Sequence, residues 1–284
     1  NLKFSHKILL AASLVVIAAF SLFTLYNDYL QRNAIRADLE SYLHEMGNVT
    51  ASNIQNWLSG RILLVESAAQ SISNDSEPDR VVNLLEQKAL TSSFAFTYLG
   101  TESGGFTMRP DEQMPADYDP RTRPWYKDAL AAGGTTLTEP YVDAATGELI
   151  ITIATPARPA GVVGGDLSLQ TLVNIINAVD FGGIGHAFLV SADGQVIVSP
   201  DKAQVMKNLK DIYPGANVQI GQGTQDVRLN QQERILSFTP VNGLPNAKWY
   251  IGLSIDKDKA YAALTQRSPA EHERLMALAA RAGP

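Results

Sequence analysis

The chain has 284 residues, 45% of them hydrophobic and 18% charged, with a formal net charge of -6 and no cysteine. This is the composition of a globular protein of one or two domains with real cores, which excludes a disordered or fibrous chain. The acidic balance, without any run of Lys or Arg, argues against a nucleic-acid partner, and the lack of thiols excludes disulfides and thiolate metal sites.

Residues 8–26 carry no charge and lie between Lys7 on one side and Asn27 and Asp28 on the other. That length suits a helix that crosses a bilayer. The run passes through Phe20, Leu22, Phe23 and Leu25 without a small-residue cleavage site, so an uncleaved anchor is expected rather than a signal peptide. Lys3 and Lys7 precede the segment and Asp28 follows it, which places residues 1–7 in the cytoplasm and the remainder outside. Over 27–73 the helical pattern continues, first with Leu39, Leu43 and Met46, then with Ile54, Leu58, Ile62, Val65 and Ala69. Such a face suits a core-facing helix and equally a helix paired with a second copy of the chain.

A polar break at 74–78 precedes a short amphipathic helix expected at 81–90. Strands then dominate: 94–99, a turn at 102–105, a return at 106–108, and further strands at 135–143, 148–157 and 162–167, closed by a helix at 169–179. Residues 182–185 read as a connection. The plan then repeats in shorter form, with a hairpin of 186–191 and 195–199 around Asp193-Gly194, and strands at 234–240 and 249–256 that match 148–156 and 162–169. In that match Gly252 falls near the place of Gly165. The expected fold class is α+β, with an N-terminal transmembrane helix running into a long helix and then two tandem antiparallel-sheet modules, a membrane-distal one over 74–180 and a membrane-proximal one over 181–266.

The chemistry concentrates in the first module. Arg123-Pro124-Trp125-Tyr126 groups a permanent cation with two aromatics, and Tyr141-Val142-Asp143 adds a third aromatic and a carboxylate. A guanidinium fork matches a ligand carboxylate, an acid matches an ammonium, and aromatic walls serve both. The alternative is a surface ion pair of small energetic weight with the aromatics filling core. Pro124 suits the first turn of a helix over 125–131, whose free N–H groups would reinforce Arg123 as a carboxylate receptor. Tyr118 adds a phenol nearby, Tyr141 and Asp143 are two apart on a strand and face one side, and Asp166 is a strand carboxylate that needs a cation if buried. The second module has no counterpart of either motif.

In order and spacing, Tyr118, Arg123, Trp125, Tyr126, Tyr141, Asp143 and Asp166 resemble the amino-acid-binding motif of double Cache sensor domains in bacterial chemoreceptors, especially the amino-acid chemoreceptors of pseudomonads. The resemblance runs from about residue 2 to Gln266 and implies PAS-like modules. It implies that Tyr118, Arg123 and Trp125 hold a ligand carboxylate, and that Tyr126, Tyr141, Asp143 and Asp166 hold the α-ammonium of an L-amino acid. It further implies a methyl-accepting chemotaxis protein of the bacterial inner membrane with its sensor in the periplasm, and a homodimer in the full receptor. The same sensor on a histidine kinase or a cyclic-dinucleotide enzyme, and a receptor for small amines, remain as alternatives. Residues facing the ligand side chain are expected from 94–107 and 135–142.

After Gln266 no apolar run suits a second crossing, and 267–284 is charged and contains Pro269. The kinase-coupling region that the resemblance implies is therefore expected to lie outside this chain, and 267–284 to be an atypical tail, with a short helix from Ser268. No enzyme, cofactor or metal is expected: His6, His44, His186 and His272 are scattered, and no G-x-S-x-G elbow or phosphate loop is present.

Overall fold

The computed structural model describes residues 3–221 and 223–266, together with 273, 274 and 277. The short helix expected from Ser268 thus falls largely outside the described residues. Helix α1, Phe4–Asn74, is continuous because no proline interrupts it, and its 71 residues span about 105 Å at ~1.5 Å per residue. Its first part is exposed and is long and apolar enough to cross a membrane. From Leu39 onward one face is buried, with Leu43, Ile54 and Ile72 at 0% exposure; each such side chain contributes roughly 1.5–3 kcal/mol by leaving water.

The expected helix at 81–90 is two helices, α2 at Pro78–Leu85 and α3 at Lys88–Thr91, with Gln87 extended between them. The reason is rotational: Leu85 and Leu90 are both buried, yet five residues apart on one straight helix they would point about 140° apart. Strands β1 (Thr97–Thr101) and β2 (Phe106–Arg109) form the first hairpin, and α4 (Pro124–Ala132) ends at Gly133, left-handed at φ 66. Strand β1 starts later than the expected residue 94.

The expected strand 135–143 is split into β3 (Thr136–Leu137) and β4 (Tyr141–Val142). Pro140 has no N–H to offer, and Thr138 spends its hydroxyl on the N–H of Thr152 at 2.9 Å. The long pair β5 (Leu149–Ala157) and β6 (Gly161–Ser168) follows, then α5 (Leu169–Ile176), which stops short of the expected residue 179 and is capped by the Ser168 hydroxyl. The second unit comprises β7 (Gly185–Ser191), β8 (Val196–Val198), α6 (Leu209–Ile212), β9 (Gln225–Leu229), β10 (Gln232–Val241), β11 (Trp249–Asp256) and α7 (Lys257–Gln266).

The two sheets share one plan. The first runs β2-β1-β6-β5-β3, with β4 also on β5, and the second runs β8-β7-β11-β10-β9. Helix α1 packs along both, against β5 and β6 and then against β10 and β11, so one apolar cluster joins the helix to the two sheets. The opposite face of each sheet carries its own smaller cluster. Register also corrects one internal match: Gly164 lies opposite Tyr98 and Gly252 opposite Phe188, so Gly252 corresponds to Gly164 and not to Gly165.

Candidate ligand-binding site

The first sheet's solvent-side face holds the site, and glycines make room for it. A side chain at Gly164 would place its Cβ 2.4 Å from the Tyr98 ring, and one at Gly100 would lie 2.6 Å from Trp125. Tyr98 therefore lies flat over β6, with the Trp125 ring edge-on to it at 4.6 Å. Trp125 and Tyr126 begin α4 and are both buried.

A narrow cavity, with room for about one water molecule, lies between these rings, lined by Tyr98, Phe106, Met108, Met114, Tyr118, Arg123, Trp125, Tyr141, Asp143, Ala144 and Asp166. Six of the seven expected residues meet there. Tyr126 does not: its ring packs 5.7 Å from Trp125 on the far side, nearest in charge to Glu102, Arg121 and Asp119.

Arg123 lines the cavity. Its Nη2 donates to the Val142 carbonyl at 2.6 Å, and its Cζ lies 5.6 Å from the Tyr141 ring centre. Its Nε is buried and has no hydrogen-bond partner. A buried donor left unpaired costs roughly 1–3 kcal/mol. Tyr118 stands beside Arg123 and Trp125, and burial pushes its phenol up to about 12, so it is a proton donor at any physiological pH.

Asp166, on the same cavity, is 2% exposed. It accepts hydrogen bonds from Tyr98 at 2.5 Å and from Thr152 at 2.8 Å, and Thr152 in turn is bonded by the Tyr141 phenol. Burial pushes the Asp166 carboxyl up to about 7, with the nearby Asp143 adding to the rise, while the two hydroxyl bonds and Arg123 oppose it. Burial likewise drives Tyr98 and Tyr141 well above the ordinary phenol range. Asp143 follows β4 in a tight turn, where it accepts from Thr146 Oγ1 at 2.8 Å and from the Ala145 N–H at 3.2 Å. The arrangement gathers a cation, two carboxylates and apolar walls around one cavity.

The sequence matches the family described as Cache domain, in its double form, over residues 31–264. The chain belongs to the double Cache family. It is 63% identical over 270 residues to the methyl-accepting chemotaxis protein PctB of Pseudomonas aeruginosa, a match that covers 94% of this chain and 43% of that protein. This double Cache chain thus spans less than half the length of that relative. The ligand-binding domain of P. aeruginosa PctB, solved in complex with L-Arg, aligns with a TM-score of 0.78 at 60% identity, covering 80% of this chain and 98% of that one. The ligand-binding domain of the Pseudomonas fluorescens chemoreceptor CtaA, solved with L-serine, aligns with a TM-score of 0.76 at 58% identity, covering 78% of this chain and 99% of that one.

Sequence reasoning did not single out Tyr98, Phe106, Met108, Met114, Ala144 or Thr152. Tyr98 and Phe106 fall inside the stretch expected to face a ligand side chain, whereas Met108 and Met114 lie beyond it. Hairpin arithmetic carries the signal for three of them: Tyr98 pairs with Met108 and Gly100 with Phe106, so alternation from Tyr98 sets all three on one face. Met114 follows no such period.

Proposed function

We propose that this chain is the sensor region of a chemoreceptor that binds a free L-amino acid in its membrane-distal module, with α1 anchored in the bacterial inner membrane and the sheets in the periplasm. The observation that carries the reading is a pair of buried polar groups on residues lining one cavity: the unbonded Nε of Arg123, and the carboxyl of Asp166, whose hydrogen-bond partners are two neutral hydroxyls. A zwitterion with a carboxylate and an α-ammonium answers both. Relatives solved with L-Arg and L-serine support the same ligand class.

In this reading Tyr118, Arg123 and Trp125 take the carboxylate, and Tyr141, Asp143 and Asp166 take the ammonium. Tyr126 acts at one remove, by fixing Trp125. Ligand bridging the two ends draws the β4 turn and the α4 start together, which stabilises a closed distal module. The change then passes to the membrane through α1 and the proximal sheet, provided the ligand prefers the closed state. The exposed side of α1, where Leu63 is 67% exposed, pairs with a second copy in the full receptor. The test is ligand-induced thermal stabilisation: Arg123→Ala and Asp143→Ala each abolish it, and retention of the full shift in both variants refutes the assignment.

A further inference from the structure

The second sheet carries a polar centre at the place that the ligand site occupies in the first. Phe188 lies over Gly252 as Tyr98 lies over Gly164, since a Cβ at Gly252 would come 2.2 Å from the Phe188 ring. Two residues on from each glycine, on the same face, stand Asp166 in the first sheet and Ser254 in the second. His186 is the register partner of Ser254 on β7, and Arg234 on β10 reaches it from the other side. At the position of Asp166 stands a hydroxyl attended by a cation, and a buried acid, Asp256, is the register partner of that cation.

Arg234 donates Nε to Ser254 Oγ at 2.7 Å, Nη2 to the Ser254 carbonyl at 3.1 Å and Nη1 to Gln232 Oε1 at 2.6 Å. None of these partners is a carboxylate, and they occupy three of the five donors a guanidinium presents. Tyr213 is buried and stands next to Ser254 and Arg234. His186 packs on Phe188 at 6.4 Å, and its ring nitrogens bond no group among the described residues. Around them Phe188, Leu236 and Phe238 supply an apolar wall.

We propose that the membrane-proximal module holds a second ligand site, which takes a short-chain monocarboxylate: Arg234 binds the carboxylate, Tyr213, Ser254 and His186 add hydrogen bonds, and Phe188 and Phe238 cover the alkyl end. A free amino acid fits less well there: Ser254 stands in place of Asp166, and the buried acid opposite Arg234 in register, Asp256, already accepts from Gln232 and from the Lys259 N–H. Burial and the Arg234 charge lower the basicity of His186, with Asp201 opposing, so the ring is a neutral donor at neutral pH. Two ligand classes would then act on one chain, one on each sheet.

The experiment uses the whole chain in detergent micelles with sodium propionate as the probe, and sodium chloride and propionamide at matched concentrations as controls. Thermal unfolding and the His186 ring resonances, assigned with His186→Asn, are followed together. Propionate is expected to raise Tm saturably and to raise the midpoint at which His186 titrates, and both effects persist in Arg123→Ala. Arg234→Gln weakens propionate binding by about tenfold or more, the loss expected for a charge-assisted bond. If that variant fails to fold by circular dichroism, Tyr213→Phe decides, with a several-fold weakening expected. A response absent from the wild type, unchanged in Arg234→Gln or in Tyr213→Phe, or lost in Arg123→Ala overturns the proposal.

Discussion

Replacing Asp166 with Asn should make the free protein more stable at alkaline pH while removing its response to ligand. The carboxyl loses its proton near 3.8 when unfolded and near 7 when folded; at ~1.4 kcal/mol per pH unit, the folded state gives up roughly 4 kcal/mol to keep it ionised. Between those values the folded chain holds the extra proton, so this contribution to stability falls as pH rises from about 4 to about 7 and stays low above. Asn is never charged, and its Oδ1 can still accept from Tyr98 and Thr152. Its buried NH2 group returns roughly 1–3 kcal/mol of the gain. The net at pH 8 is about 1–3 kcal/mol, or a Tm higher by roughly 3–8 °C for a domain of this size. Below pH 4 the advantage disappears, because wild-type Asp166 is then neutral too. Urea or thermal unfolding of both proteins at pH 4 and pH 8, with and without a saturating L-amino acid, reads every part of this. A variant that is destabilised more at pH 8 than at pH 4 would refute the reasoning, since Asp166 would then be a charge the free fold favours.

Three further outcomes follow from the same geometry. Because the ligand ammonium needs Asp166 ionised, binding below pH 7 must expel a proton, and the dissociation constant should rise by about 30-fold between pH 8 and pH 5.5; a calorimetric pH series that is flat over that range contradicts it. Gly164→Ala puts a methyl 2.4 Å from the Tyr98 ring, which displaces Tyr98 from Asp166 and should weaken ligand binding at least tenfold, although Gly164 does not line the cavity; unchanged affinity would show that Tyr98 does not set the site. Trp125, 2% exposed and packed on Tyr98 and Tyr126, should cost about 3–5 kcal/mol when replaced by Ala, measured by urea unfolding without ligand.

Much of this architecture was legible because it rests on local signals. The proline-free run to Asn74, the Asp193-Gly194 turn, and the β-branched stretches of β5, β6, β10 and β11 each declare themselves within about ten residues. What was not legible depends on tertiary partners. The break between α2 and α3 exists to return Leu90 to the core, and the interruption at 138–140 is made by Thr138 bonding Thr152 across the sheet. Strand β9, Gln225–Leu229, is polar at its start and holds its place by pairing with β10. At the site, the charged ends stood out as residue types, but Tyr98 reaches Asp166 across 68 residues of sequence. Tyr126 shows the converse, since adjacency to Arg123 and Trp125 on the chain does not bring it to the cavity, α4 having turned it away.

The central claim is that the distal cavity reads both ends of an α-amino acid. Calorimetric titration of the chain with each standard L-amino acid, paired with the amine left by its decarboxylation, tests it most directly. At least one amino acid should bind while its amine binds a hundredfold or more weaker, because Arg123 Nε would again be left without a partner. Equal affinity for an amino acid and its amine would contradict the account.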